Sequence, residues 1–309
     1  MKRIFLIITL IISSTSFGVN ALEYKGLEKL SKNNSFMDDK GKPYSIDKIT
    51  DKKNSFLIIY NHGSIQDVRV DPCKKRPQFG YIWDGAVVPA ILKLHNKKIN
   101  GLEGKIYRLC SGVKGMTSKD QKKYRNLLKS KDKIEILDEF KNLKRQNIIF
   151  QEVEKFQKLG FENIILAGYS AGGWASLNLQ SRYPEKIKGT IAFNPAFAGP
   201  KFEWQKKFPE WGAFRGQQVE IFNKANSLNA ILFAHDKDVF EDTNTLSFFK
   251  KFNGLKFIDY TILKPTSCKW ANVDSNMGPG KGHNIPQSRC FTNFIKEKNY
   301  LIDFLENIL

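Results

Sequence analysis

The stretch from Asn163 to Tyr183, NIILAGYSAGGWASLNLQSRY, constrains this chain more than any other. Asn163-Ile164-Ile165-Leu166-Ala167 is a short, nearly continuous apolar run, the composition of a strand buried on both faces. Gly168-Tyr169-Ser170-Ala171-Gly172 follows, and beyond it Trp174, Leu177 and Leu179 recur among small and polar residues at spacings a helix can use. A glycine-flanked serine between a strand and a helix reads as a nucleophile elbow. Such a turn holds its serine in a strained backbone conformation and needs small neighbours, so that strand and helix can approach. Gly168, Ala171, Gly172 and Gly173 supply them. The hydroxyl then stands at the C-terminal edge of the sheet, beside the N–H groups of a helix N-terminus, where negative charge is favoured. The five-residue pattern alone also fits a tight turn that merely contains a serine. What decides between the two is whether the rest of the chain supplies what a reactive serine needs.

The chain opens Met1-Lys2-Arg3, continues with an almost wholly apolar run from Ile4 to Ile12, and reaches a small-residue pattern at Val19-Asn20-Ala21. That order predicts a signal peptide over residues 1–21 and export, with the mature chain starting near Leu22. The rival reading is an N-terminal membrane anchor, but the apolar run is shorter than the ~20 residues that span a bilayer. Residues 22–309 have a length that suits one α/β domain, with no repeat or Pro/Gly/Ser-rich linker dividing them. The formal charge is +19; Lys2 and Arg3 are the only ionic side chains of the first 21 residues, which leaves +17 on the remainder. An anionic partner is one reading of that excess. The excess is spread along the chain as lysine, with no dense basic block interleaved with aromatics, so a solvated lysine surface is preferred and no nucleic acid is expected. Oligomeric state is not legible.

Cys73 and Cys110 lie in the first half and Cys268 and Cys290 in the second. In an exported chain these predict two disulfides, 73–110 and 268–290, each worth roughly 3 to 4 kcal/mol in the chain-entropy account. A metal site is the alternative, but no C-x-x-C or H-x-x-x-H pair supports it, and neither metal nor cofactor is expected. In order, the pattern predicts strands at Ser55–Tyr60, Lys105–Cys110, Asn163–Ala167, Lys188–Phe193, Ala230–Ala234 and Lys256–Leu263. Helices are predicted over Trp83–Leu94, Lys133–Leu159, the segment after Ser170, Thr245–Phe252 and Phe291–Leu309. Ala196–Asn226 reads as an irregular aromatic stretch, its rings either lining a pocket or packing the segment onto the body. Strands alternating with helices predict a mostly parallel central sheet with helices on both faces and no large lid. Ligands bind beyond the C-terminal strand ends of such sheets, where His62, Ser64, Ser170, Asp238 and His283 would emerge.

A serine needs an adjacent base, and the base an orienting acid. Of the histidines, His95 ends a predicted helix, His62 precedes an irregular loop, His235 sits at a strand end, and His283 lies on the glycine-rich loop Gly280-Lys281-Gly282-His283-Asn284. Only the last position lets a loop carry an imidazole onto Ser170. The acid should leave the strand Ala230–Ala234. Asp238 is preferred because Val239-Phe240 can anchor it, Asp236 is the alternative, and Glu241 and Asp242 are expected in solvent. An oxyanion needs two fixed N–H donors: Ala171 is the first, and Ser64 the choice for the second, with Ile65 as fallback.

Strand-HGS, strand-GYSAGG-helix, strand-HDKDVF and loop-GKGH, in this order, resemble the α/β-hydrolase superfamily over roughly Ser55 to Leu309. The resemblance implies a covalent acyl-enzyme made at Ser170, with His283 as proton shuttle, Asp238 as its orienter and Ala171 and Ser64 as oxyanion donors. It is similar to secreted esterases and polymer-ester depolymerases of the dienelactone-hydrolase-like branch, which implies small or polymeric carboxylic esters as substrates. A serine peptidase of the same fold and a non-catalytic binding protein on this scaffold stay open. The long loop after His62-Gly63 departs from the family pattern and leaves the second oxyanion donor less defined than the first. A 268–290 bridge would bracket His283 and tie reductant sensitivity to activity.

Overall fold

The structure, a computed structural model, describes residues 34–64, 87–111, 122, 126, 141–197, 199–207, 209–271, 275–278 and 281–309. The signal-peptide reading of residues 1–21, Cys73 and Ile65 lie outside them.

Strand β3 (Ser55–Asn61) is buried at every residue. Its side chains alternate between two cores: Phe56, Ile58 and Tyr60 join one, Leu57 and Ile59 the other. Strand β6 (Asn163–Tyr169) divides the same way, Ile165 and Ala167 against Ile164 and Leu166. A strand with apolar side chains on both faces is stable only between two layers, because successive side chains point to opposite sides. The layers are helical. One face carries α1 (Pro89–Leu92), α5 (Arg289–Glu297) and α6 (Tyr300–Ile308), through Ile91, Phe291, Ile295 and Leu305. The other carries α2 (Lys141–Lys158), α3 (Ala171–Arg182) and α4 (Pro209–Asn223), through Ile149, Val153, Leu179, Trp174 and Phe222.

The remaining strands are β1 (Ser35–Met37), β2 (Pro43–Tyr44), β4 (Lys98–Ile99), β5 (Leu102–Leu109), β7 (Gly189–Phe193), β8 (Ala230–Ala234) and β9 (Leu255–Asp259). Among the described residues the sheet runs β2-β1-β5-β3-β6-β7-β8-β9, with β4 beside β5. It is parallel from β5 to β9 and antiparallel where β1, β2 and β4 close the β5 edge. The expected mostly parallel sheet with helices on both faces is what forms. β3 and β6 lie side by side at its centre, so the loops leaving their C-terminal ends meet over the middle of the sheet.

Four element readings are corrected. Of the helix expected over Trp83–Leu94, residues 83–86 lie outside the described residues and Val87 and Val88 are not helical: Val88 takes an extended ψ of 127°, as the residue before a proline prefers, and α1 starts at Pro89. The closing helix is two helices, broken at Asn299 in the left-handed region (φ 51°). The expected Thr245–Phe252 helix is a 3₁₀ turn at Ser247–Lys251. The aromatic stretch before Asn226 is not irregular, since it contains α4, whose Trp211, Phe214 and Phe222 join Trp174 in the core. Gly212 and Gly216 weaken its helical signal.

Gly168 and Gly172 set how closely α3 approaches the sheet. A Cβ at Gly168 would lie 2.4 Å from the Gly172 carbonyl carbon, and one at Gly172 would lie 2.3 Å from the Asn61 carbonyl oxygen. Both obstacles are backbone and cannot rotate away. Gly168→Ala is therefore expected to destabilise by about 1–3 kcal/mol in denaturant unfolding. Gly216→Ala, whose Cβ meets nothing within 4 Å, should gain about 0.5–1 kcal/mol. Equal stabilities for the two variants would contradict the close approach.

Candidate active site

Ser170 caps α3 at φ 55° and ψ −124°, a conformation that L residues other than glycine rarely occupy. The surroundings hold it there. Its N–H donates to the Phe193 carbonyl at 2.9 Å, and its carbonyl accepts from Trp174 N at 3.0 Å and Ala196 N at 3.1 Å. The residue is 8% exposed, and its hydroxyl makes no hydrogen bond among the described residues. Ala171 N–H opens the first turn of α3, where backbone donors have no intrahelical acceptor.

The base and acid readings meet at His283 and Asp238. His283 Nδ1 lies 2.7 Å from Asp238 Oδ2, and Asp238 Oδ1 accepts from Phe240 N at 2.8 Å. A carboxylate can only accept, so Nδ1 carries the proton and Nε2 is left as the ring's free basic edge. Asp236, the alternative acid, is 36% exposed at its side chain and faces Lys237. His235 is a scaffold residue: its Nδ1 accepts from Lys237 N, so Nε2 donates to the Leu263 carbonyl at 2.9 Å.

Two residues that sequence reasoning passed over fix the His283 loop. Tyr169, the residue before the serine, donates its hydroxyl to the His283 carbonyl (2.9 Å) and reaches Asn284 Oδ1 (2.8 Å); its ring centroid is 5.0 Å from the imidazole. Asn194, at the end of β7 with φ 42°, donates from Nδ2 to the Gly282 and His283 carbonyls at 3.0 and 2.9 Å. The Tyr260 hydroxyl in turn donates to Asn194 Oδ1 at 2.6 Å. The elbow and the neighbouring strand thus grip the backbone of His283. Phe240 packs on the other side, 4.4 Å between ring centroids. Asn194-Pro195 at a strand end was the one visible signal, and nothing in sequence marks the Tyr169 hydroxyl as a link to the last loop.

His62 and Ser64 lie beside the elbow. A Cβ on Gly63 would stand 3.2 Å from Ser170 Cβ, so the backbone of this tripeptide borders the nucleophile. His62 is fully buried and does not act as a base here. Its Nε2 accepts from Ser111 N at 3.3 Å, so Nδ1 carries the proton and donates to the Gly63 carbonyl at 2.5 Å. Burial, with the nearby Arg145 charge, pushes it down to about 3.

Cys268 and Cys290 are free thiols, not the expected bridge. They are close enough that burial and a hydrogen bond with Cys290 push Cys268 up to about 12, so what holds the His283 loop is Tyr169 and Asn194 rather than a covalent bracket. Cys110 is disulfide-bonded, with its partner outside the described residues. Glu241 and Asp242 are not solvated either. Glu241 forms a two-pronged pair with Arg215 of α4 at 2.8 Å on each prong, and burial raises its carboxyl above the usual range despite that pair. Asp242 pairs with Lys201. These contacts tie the segment between β7 and β8 to the turn that carries Asp238.

The parallel sheet, the serine at a positive φ between β6 and α3, and the chain order Ser170, Asp238, His283 define the α/β-hydrolase fold. The sequence matches no protein-family model and no curated protein. Among solved structures it is similar to Est1E from Butyrivibrio proteoclasticus (14% identity, TM-score 0.42, 73% of this chain and 82% of that one). It is also similar to the esterase Pf2001 from Pyrococcus furiosus (13%, 0.42, 83% and 85%). A dipeptidyl aminopeptidase IV candidate from Bacteroides ovatus has a higher score (15%, 0.48) over 89% of this chain but only 35% of that longer one. At such scores none of these likenesses bears on substrate or activity.

Tyr169→Phe removes the hydroxyl that grips His283 without opening a cavity. It is expected to lower kcat roughly 10-fold or more with KM little changed, as small misplacements of a reacting group do; a fall in KM-linked binding alone would show that the contact is only structural. His62 gives a pH signature. In the unfolded chain a histidine titrates near ~6.5, whereas folded His62 resists protonation down to about 3. Between those values only the unfolded state takes the proton, so the stability present above pH ~6.5 is lost at about 1.4 kcal/mol per pH unit as pH falls. Urea unfolding of wild type and His62→Gln should show the steeper acid dependence in wild type, and parallel slopes would contradict a buried neutral imidazole.

Proposed function

We propose that the protein is an exported serine hydrolase that cleaves carboxylic esters through Ser170, His283 and Asp238. The observation that carries the reading is a serine held at φ 55° next to a tyrosine that grips the backbone of a histidine paired to a buried aspartate. Strain at a single non-glycine residue costs on the order of 1–3 kcal/mol and persists at functional positions. A structural serine in the same turn has no use for a buried Asp–His pair beside it.

The chemistry follows from these groups. Ser170 Oγ attacks the ester carbonyl carbon while His283 Nε2 takes the hydroxyl proton, and Asp238 holds Nδ1–H and balances the imidazolium. The carbonyl oxygen becomes an oxyanion facing the Ala171 and Ser64 N–H groups. Collapse expels the alcohol, which leaves with the proton from His283. Water then attacks the acyl-enzyme, gives a proton to His283, and the acid departs as Ser170 regains its hydrogen. The leaving group lies on the His283 side, where Phe240 packs on the ring; next to it Val239 is exposed, and its carbonyl accepts from the N–H of Lys201, whose neighbour Phe202 is exposed too. These exposed apolar residues support an ester with a bulky apolar alcohol part, small or polymeric. Residues 22–309 act as one domain in this reading, residues 1–21 direct export, and Cys73 pairs with Cys110.

A fluorophosphonate probe should label the folded wild type at Ser170 and leave Ser170→Ala unlabelled. Asp238→Asn should label and turn over roughly 10³–10⁴-fold more slowly, because the imidazole loses its proper tautomer. Aryl and alkyl esters should be hydrolysed and peptide amides left intact. Amide cleavage matching ester cleavage would favour a peptidase, and folded protein that resists the probe would favour a binding scaffold.

A further inference from the structure

Arg145, on α2, is fully buried, a rare state for a guanidinium. Its Nη1 donates to the His62 carbonyl at 2.6 Å and its Nη2 reaches the Ser64 hydroxyl at 3.4 Å, while Nε has no partner among the described residues. Among the described residues no carboxylate pairs with it. Desolvation accordingly drags it down to about 10. Burying a cation without a counter-charge costs several kcal/mol, and such charges are ordinarily paired. Arg215 shows the ordinary solution in the same molecule, with Glu241 against its fork.

The position of Arg145 explains the exception. It grips both ends of His62-Gly63-Ser64, the tripeptide whose middle residue borders Ser170 and whose last residue is the second oxyanion donor of the proposed function. The His62 carbonyl also sits against Gly172, on α3 just past the nucleophile. A cation there acts twice. It orders the loop so that the Ser64 N–H is aimed before substrate arrives, and it supplies positive potential in a water-poor interior beside the place where negative charge forms. We infer that Arg145 is a positioning residue for the oxyanion loop, and that the negative charge its guanidinium serves is the oxyanion that forms on the substrate carbonyl. This rests on the ester-hydrolase reading of the same site.

The test compares wild type, Arg145→Met, Arg145→Lys and Ser64→Ala on a neutral aryl ester and on one bearing a carboxylate, with the affinity for an alkyl boronic acid, which forms a tetrahedral anion on the serine. Circular dichroism and thermal melting report folding. Arg145→Met should lower kcat roughly 100-fold, as loss of an oxyanion contact does, with KM nearly unchanged and boronate affinity reduced in parallel. Arg145→Lys keeps the charge but not the fork and should lose less; Ser64→Ala keeps the backbone donor and should lose least. If the methionine variant does not fold, the lysine and Ser64 variants still carry the comparison through kcat and boronate affinity. Folded Arg145 variants with wild-type kcat and boronate affinity would overturn the inference. A loss confined to KM for esters bearing a carboxylate would overturn it too, assigning Arg145 to a substrate anion. Failure of wild type itself to react with fluorophosphonate would instead remove the underlying function, which separates the two outcomes.

Discussion

The site depends on one contact between backbones: α3 pressed onto the ends of β3 and β6 through Gly168 and Gly172. With side chains at those glycines the helix would have to retreat. The approach accounts for the local geometry. It turns Ser170 into the left-handed region, it brings the Asn61 and His62 carbonyls against Gly172, and it sets Ser170 at the first turn of α3. Nothing about the chemistry of the serine produces this; packing does, and the chemistry uses what packing leaves.

The rest of the site is held by side-chain-to-backbone bonds that cross between elements. Tyr169 and Asn194 hold the His283 carbonyl, Tyr260 orients Asn194, and Arg145 holds the other side of the elbow at the His62 carbonyl. Gripping backbone rather than side chain fixes a loop without engaging the imidazole. Each of these bonds lies in a buried setting, where a hydrogen bond is worth more and an unmade one costs more than in water. The Arg215–Glu241 pair does the same for the acid turn, tying it to α4.

The sequence announced the parts whose signal is local. The apolar runs of β3, β6 and β8 and the glycines around Ser170 were readable because burial on both faces and close approach each demand particular residue types. Asp238 was preferred over Asp236 for its apolar followers, and its side chain is the one that meets His283. What stayed hidden depends on contacts remote in the chain. Glu241 looked like a surface acid because its partner, Arg215, is 26 residues away. Arg145 carries no local signal, since only the fold brings it to His62, 83 residues earlier. Helix α4 was missed because Gly212 and Gly216 and a run of aromatics mask its period, and the reading of the closing helix ignored that Asn299 can adopt the left-handed backbone that divides it. The cysteine pairing followed position in the chain, which carries no information on geometry, and at Cys268 and Cys290 it gave a bridge where there are two thiols.

The central claim is that the strained serine becomes covalently acylated. It is tested most directly by acid-quenching the protein milliseconds to seconds after mixing with a chromogenic aryl ester and weighing the intact chain and its peptides. The account predicts a burst of released aryl alcohol of about one equivalent per protein, matched by one acyl group on the peptide that contains Ser170. Turnover without any acyl adduct, or an adduct on another residue that survives Ser170→Ala, would contradict it.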